Sequence, residues 1–569
     1  MADWRWRTTL ALALALAASA CGGGGDARQG SAGAPEQDEP PPGSFGTFGG
    51  GPPGGTLVVL SDREPDNLNP LTYDSNPAYQ LVHLMFRALG RRDSTLSNYV
   101  PDFLEKWETP DSATVILHVR PDLKWHDGRP ARAEDVVFTI ERQKNEEVAS
   151  TRQADVEPVT SVRALDSLRV EVKLSRGGPA TLHSLLEVVP VPKHLLDTIP
   201  PGRLRFARFN EAPVGSGLFR FVRWDKNQQV IVEANREAAG GRPALDRIVV
   251  RNVPDANARL TELLAGQGDL AKVTAEQRPR IETAQNVRLD HAARVRPAWI
   301  AFNVEKPPVD QADVRRAIAM GIDRKALAAA LFDDSTAAAL SPIPPTLREH
   351  SPNVQPLPYN PAMAQQTLER AGWRDTNGDG IREKDGKPLI VEVEYSSSDP
   401  VRADMLVAMQ AELRKIGVNL VPKAYESATW VSRLRAQEFT ASFWGWGWGP
   451  GVMAPNANML WHSRSIPPGG PNFAGYDNPR VDGLIDSLLV SRDTTRTRNF
   501  WRGLEQQVIN DAVYVPIFYD PEFYGVNARF RGVKLRGPEW WEDVIYWWIP
   551  EDQRLPRDRQ AEKGGGQGG

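Results

Sequence analysis

Strands and helices alternate along most of this chain, and that alternation predicts an α/β fold with mixed sheets. Size points to more than one compact unit. The chain has 569 residues, too many for a single hydrophobic core at roughly 100–200 residues per domain, so two to four units are expected. Composition places it among globular proteins, with 41% hydrophobic and 25% charged residues. The net charge of −4 and the lack of a basic run with interleaved aromatics argue against recruitment of nucleic acid or an anionic membrane by bulk electrostatics.

The first segment in chain order reads as an address, not as part of the fold. Arg5 and Arg7 precede the apolar run Leu10–Ala17, which is too short to span a bilayer. Ala18-Ser19-Ala20-Cys21 then closes the run with small residues. This resembles a bacterial lipobox with Ala18 in place of the usual Leu, which implies a signal peptide over 1–20 and diacylglyceryl attachment at Cys21. Cys21 is the only cysteine, so an intrachain disulfide and a Cys-based zinc site are excluded. Residues 21–55 are rich in Gly, Pro, Ser and Glu, bury too little apolar surface to fold, and suit a disordered tether.

Thr56–Leu60 is a short apolar β-rich run and reads as a buried strand. Ala78–Leu89 is expected to be a helix, with Leu81, Leu84, Met85 and Leu89 on one face. Thr114–Arg120 reads as a strand, Asp127-Gly128 as a turn and Glu134–Gln143 as a helix. Leu168–Leu174 alternates apolar and polar as a half-buried strand does. A hairpin is expected from Leu218–Val222 and Gln229–Glu233, then a strand at Ile248–Val250 and a helix Arg259–Ala265 stopped by Gly266. Beyond Asn303 the chain turns more helical. Asp323 caps Arg324–Phe332, and Met405–Ile416 is an amphipathic helix ended by Gly417 and followed by the strand Val418–Val421. From Gln553 the sequence is polar and Gly-rich, and 551–569 is expected to be a disordered tail.

Signals for catalysis are weak. His126 lies beside Asp127, but a carboxylate one residue away in a turn is poorly placed to orient an imidazole, and no nucleophile accompanies the pair. No H-E-x-x-H or P-loop occurs, and the sequence around Ser216 misses G-x-S-x-G by a residue. Asp375, Asn377 and Asp379 before Gly380 imitate the start of a calcium loop, but the twelfth position is Gly386 where a bidentate Glu is expected. A plain surface turn is the expected reading, with no metal and no cofactor. The most suggestive stretch is Trp444-Gly445-Trp446-Gly447-Trp448-Gly449. Alternate tryptophans project to one side of an extended strand, and the intervening glycines permit close approach of a bound molecule, so these residues are expected to line a cleft.

Several stretches together resemble the large solute-binding family of oligopeptide, dipeptide and nickel importers. They are Trp125-His126-Asp127-Gly128-Arg129-Pro130, Ala133–Phe138, Pro190-Val191-Pro192-Lys193-His194, Pro213–Phe219, Asp313–Ala319, Ile322-Asp323-Arg324 and Ala371-Gly372-Trp373. The resemblance runs from about Thr56 to about Ile549, nearly the whole folded region. The resemblance implies a two-lobed periplasmic-binding-protein-like fold with a hinge between lobes. Lobe I would comprise 56–90, 206–303 and 511–550, an inserted domain 91–205, and lobe II 304–510. It further implies a monomeric binding protein on the outer face of the cytoplasmic membrane. Such a protein captures a peptide or similar small solute and delivers it to an ABC permease with its ATPase subunits. An oligosaccharide-binding subunit and a sensor presenting its ligand to a signalling receptor are alternatives, and a hydrolase is a remote one.

Cleft positions follow from the same resemblance. Tyr73, Asp74, Ser75 and Asn76 fall on a ligand-contacting loop, Trp299 and Tyr519 on the segments joining the lobes, and Trp461 beyond the Trp/Gly stretch. The peptide-binding relatives carry an Asp for the ligand's amino terminus where this chain has Gly449, and Asp74 or a neighbour is a candidate to replace it.

Overall fold

The computed structural model describes residues 50–92, 98–292, 294–447, 453–491, 493–520, 522–535 and 540–559. The expected signal peptide, Cys21 and the tether up to residue 49 lie outside the described residues, as do Trp448 and Gly449.

Three sheets organise the chain. Thr56–Ser61 sits near the middle of a seven-stranded sheet, paired in parallel with Arg247–Asn252 on one side and Leu270–Val273 on the other. A central strand covered on both faces needs apolar residues throughout, and Leu57, Val58, Val59 and Leu60 are all buried. The sheet continues through Gln229–Ala234 to Phe219–Asp225 on one edge, and through Phe523–Asn527 to Val287–His291 on the other. Between its first and later strands the chain builds a four-stranded antiparallel sheet, in the order Leu104–Glu108, Thr114–Val119, Arg169–Leu174, Val159–Ala164. The third sheet has five strands, in the order Asn419–Tyr425, Ile390–Ser396, Ala441–Gly445, Pro297–Phe302, Tyr514–Tyr519.

Local chemistry sets the helices in place. Ser75 caps Asn76–Met85 by accepting from the Ala78 N–H, with Pro77 in the first turn where a missing N–H is harmless. Asp323 caps Arg324–Phe332 and Asp399 caps Pro400–Arg414 in the same way. Among the described residues no helix is long and apolar enough to cross a membrane.

Three sequence expectations require correction. Pro297–Phe302 and Tyr514–Tyr519, assigned from the resemblance to lobe I, are hydrogen-bonded into the five-stranded sheet with Ala441–Gly445. Residues 51–55 are seated instead of free. Gly51 lies so close against Trp548 that a Cβ there would stand 2.2 Å from the indole, and the Gly54 N–H donates to the Ala244 carbonyl at 2.8 Å. Residues 551–559 are also ordered, with a helical turn over 556–559. Composition hid this because the segment docks through charge instead of apolar surface. The fully buried Asp558 accepts from the Thr56 N–H at 2.8 Å and pairs with Arg529, which also reaches Asp269 at 3.1 Å. Arg557 reaches the same Asp269 at 2.7 Å.

The His126 turn is structural, as expected. The His126 N–H donates to the Gly215 carbonyl at 2.8 Å, its Nδ1 accepts from the Gly215 N–H at 3.2 Å, and its Nε2 lies 3.1 Å from the Gly217 carbonyl. The ring thus clasps the turn Pro213–Leu218 as a neutral imidazole with its proton on Nε2. Asp127 pairs not with His126 but with His194, at 2.7 Å.

Two outcomes follow. Asp558→Ala is expected to cost about 3 kcal/mol, because it breaks a buried pair from one side, read as a lower urea midpoint at unchanged m-value. Burial holds the His126 pKa down at about 4, below its ordinary 6.5. Between those values the unfolded chain binds the extra proton and the folded one does not, so this contribution to stability is full above pH 6.5 and falls as pH drops toward 4. His126→Ala is expected to lower stability at pH 7 by about 1–3 kcal/mol and to flatten that acid limb, measured by urea unfolding from pH 7 to pH 4.

Candidate ligand-binding cleft

The chain passes between the seven-stranded and five-stranded sheets twice. It leaves Val287–His291 for Pro297–Phe302, and returns from Tyr514–Tyr519 to Phe523–Asn527. The two crossings run side by side, tied by the Asp520 N–H to the Arg296 carbonyl at 2.8 Å and the Ala292 N–H to the Glu522 carbonyl at 3.0 Å. Other segments of the two halves also touch. Arg348 donates to the Asn98 side chain at 2.9 Å, and Gly178, at the start of Pro179–Leu186, packs against the backbone of Leu489 so closely that a Cβ would stand 2.3 Å from its carbonyl oxygen.

A cavity of about 410 Å³ opens beside the crossings. Its floor is formed by the carboxyl half of Thr56–Ser61 with Asp62 and Arg63 beyond it, and by Leu270–Lys272 of the parallel strand alongside. Asn76, Pro77 and Gln80 bring the first turns of a helix to one side, and Tyr524, Trp540 and Trp541 supply aromatic wall. The charges lining it are Arg63, Arg259, Lys272 and Arg296 against Asp62 and Glu522. Glu522 is buried, 3.0 Å from the Lys272 ammonium and 3.9 Å from the Arg296 guanidinium.

Asp520 stands next to this group on the return crossing. Its closest charge partner is Arg402, at 3.9 Å, beyond hydrogen-bond reach, and Arg402 itself pairs closely with Asp399. Burial pushes the Asp520 carboxyl above the usual range, and Arg402 and Arg296 offset only part of that rise. A carboxylate that is partly desolvated and incompletely paired has unused capacity to accept hydrogen bonds.

The residues expected at the cleft divide into several groups. Asn76 lines the cavity. Asp74 is exposed, and its backbone N–H is held by the Asp66 carboxylate at 2.9 Å; Ser75 serves as a helix cap and bonds the same carboxylate. Tyr73 is buried, its carbonyl accepts from Thr151 at 2.9 Å, and burial pushes its hydroxyl up to about 12. Tyr519 is buried and donates to the Ser341 carbonyl at 2.9 Å. Trp299, Trp444 and Trp461 pack into a core instead of an open wall, at 0%, 5% and 0% exposure. The reason is register: Trp299 and Trp444 sit directly opposite on neighbouring strands, so both indoles leave the same face, where Tyr514 and the helices Pro479–Val490 and Thr494–Asp511 cover them. Trp446 continues that row half-buried, with its ring 6.2 Å from Trp444. Gly447 is exposed, and a Cβ there would lie 3.8 Å from the Arg296 side chain.

Sequence reasoning therefore missed the charged set Lys272, Arg296, Asp520 and Glu522. A signal was present: Asp520-Pro521-Glu522 interrupts two strands that are otherwise buried throughout, and Arg294 and Arg296 precede a third. Charges wedged between core strands mark where the chain must surface.

Residues 98–467 match the model of the bacterial extracellular solute-binding proteins, family 5 Middle. The oligopeptide-binding protein AppA of Bacillus subtilis is 27% identical over 503 residues, covering 87% of this chain and 92% of that protein. Heme-binding protein A of Haemophilus influenzae is 26% identical over 500 residues, covering 84% and 89%. The structure of Bacillus subtilis AppA in complex with a nonapeptide superposes with a TM-score of 0.72 at 26% identity, over 88% of this chain and all (100%) of that one. NikZ from Campylobacter jejuni in complex with Ni(L-His), at 24% identity and a TM-score of 0.73 over 87% and 99% of the two chains, shares the fold. With its mixed sheets and paired crossings, and with a family model matched over most of its length, the chain belongs to the bacterial extracellular solute-binding proteins of family 5.

Proposed function

We propose that this chain is the extracytoplasmic solute-binding subunit of an ABC importer, and that it captures peptides between its lobes and delivers them to a membrane permease. In this reading lobe I is built on the seven-stranded sheet with the four-stranded sheet as its inserted domain, lobe II on the five-stranded sheet, and the paired crossings act as the hinge. Closure then depends on contacts that the ligand makes only in the closed form.

The observation that carries the reading is the charge arrangement at the crossings. Lys272 and Arg296 stand beside Glu522 and the underpaired Asp520, and a peptide is a zwitterion with a carboxylate for the first pair and an ammonium for the second. Asp520 would then do the work expected of an acid in the segment where Gly449 stands. The oligopeptide-binding description of AppA supports the same class of ligand. The oligosaccharide alternative rested on open indole faces, and the burial of Trp299, Trp444 and Trp461 removes most of that support. The hydrolase alternative draws on no observation beyond the Tyr524 hydroxyl, 3.4 Å from Glu522 at the cavity wall.

Calorimetry with peptides that are free, N-acetylated or C-amidated tests the assignment. Asp520→Asn is expected to weaken a free-amine peptide about 10–100-fold, the worth of one charge-assisted hydrogen bond, and to leave its N-acetylated form unchanged. Equal losses for both forms, or stabilisation by sugars alone, would overturn it. The lipid anchor has its own test. Cys21→Ser is expected to abolish incorporation of labelled palmitate and to move the protein out of the membrane fraction, whereas persistent labelling would count against lipidation at Cys21.

A further inference from the structure

We propose that the loop Asp375–Glu383 is a calcium site closed by Glu383 at its ninth position, in place of the glutamate that a twelfth-position ligand would provide. One carboxylate oxygen each from Asp375, Asp379 and Glu383 lies within 4.8 Å of the other two, close enough to share one ion. The two aspartates are exposed, and exposed acidic groups alone carry no such inference. Glu383 is different. Its side chain is only 8% exposed, and while Oε2 accepts from the Thr376 N–H and hydroxyl at 2.8 and 2.7 Å, Oε1 is buried and accepts nothing. A carboxylate oxygen shut away from water without a donor is expensive unless a cation supplies the missing interaction. Three of the flanking cations are engaged elsewhere: Arg382 with Glu369 at 3.1 Å, Lys384 with Gln311 and the Ala371 carbonyl, and Arg414 with the backbone carbonyl of Asp379.

The backbone suits the same role. Asp375, Asn377 and Asp379 supply side-chain oxygens at the first, third and fifth positions, and Gly380 at the sixth has φ +84°, where a sharp turn is required. Glu383 is fixed at the base of the loop by reciprocal backbone hydrogen bonds with Arg374. Gly386 cannot serve as the twelfth ligand, because with Asp385 it forms the left-handed turn between Glu383–Lys384 and Lys387–Pro388. Oxygen-only donors of mixed type fit Ca²⁺, which tolerates irregular coordination completed by water, better than Mg²⁺, which demands a near-ideal octahedron. None of these residues lines the 410 Å³ cavity, so the site is independent of the proposed peptide ligand and its role is to brace the hairpin and the helix Pro361–Arg370 beside it.

Chelator-stripped protein should bind one Ca²⁺ in calorimetry, with a Kd of about 10⁻⁴–10⁻³ M, the range of extracellular modules. At tenfold excess over Kd its Tm should rise by about 1–2 °C. Glu383→Gln should weaken binding at least tenfold, while Asp404→Asn, an exposed acid outside the loop, should bind as the parent does. Because Glu383→Gln also disturbs the bonds to Thr376, terbium luminescence on the unaltered protein provides a second readout, in which Ca²⁺ displaces terbium and equimolar Mg²⁺ does not. Neither heat nor a Tm change up to about 10 mM Ca²⁺, unchanged affinity in Glu383→Gln, or equal displacement by Mg²⁺ would each overturn the proposal.

Discussion

The pair of backbone hydrogen bonds between the two crossings, Asp520 to Arg296 and Ala292 to Glu522, is the constraint from which the site is built. They hold two chain segments of opposite direction in one register, so that whatever side chains those segments carry arrive together at one mouth. Arg296, Asp520 and Glu522 owe their proximity to this registration and not to closeness in sequence. Two adjacent segments also make a soft joint. They resist sliding, because sliding breaks both bonds, and in the proposed function they are the place where bending would occur.

Ion pairing at the mouth is weak by design of its surroundings. Lys272 is 57% exposed as a side chain, and an exposed ammonium screened by water adds little even at 3.0 Å. Glu522, buried on the other side of that contact, has only the Tyr524 hydroxyl, at a long 3.4 Å, as a further side-chain donor. The Asp520–Arg402 separation of 3.9 Å leaves a second acid, 31% exposed as a side chain, without a close charge partner. Such groups cost stability, and in the proposed function a ligand's charge offsets that cost. A site that was fully satisfied within the protein would have nothing left to offer.

Much of the fold was legible in the residues, and the reasons it was legible are the reasons parts were not. Thr56–Leu60, Leu168–Leu174 and Gln229–Glu233 announced themselves by apolar pattern because burial on one or two faces dictates it, and their strands fall where expected. Pattern says nothing about which sheet a strand joins, so Pro297–Phe302 and Tyr514–Tyr519 were placed with the wrong neighbours: both are apolar throughout and would fit either sheet. Only the start of the Trp/Gly stretch falls in a strand, Ala441–Gly445, with Trp446 following it and Trp448 outside the described residues. Which side is covered is decided by helices far along the chain, and Pro479–Val490 and Thr494–Asp511 cover it. The C-terminal segment failed for the opposite reason, since its anchoring depends on single charges, Arg557 and Asp558, that look in sequence like any other solvated pair.

The same residue types thus do opposite work at the two ends of one strand. Below Thr56–Ser61, Asp269 and Asp558 are fully buried and fully served: Asp269 accepts from the Val58 N–H at 2.9 Å and from Arg529 and Arg557, and Asp558 from Thr56 and Arg529. That cluster has no capacity left, and its role is to hold the strand and the chain's end together. Above it, at the carboxyl end of the same strand, Asp520 and Glu522 have partners too distant or too wet to satisfy them. Burial and charge alone do not separate a structural acid from a ligand-binding one; the count of donors that reach it does. On that count the ends of Thr56–Ser61 differ in kind, and the unsatisfied end is the one that opens into a cavity.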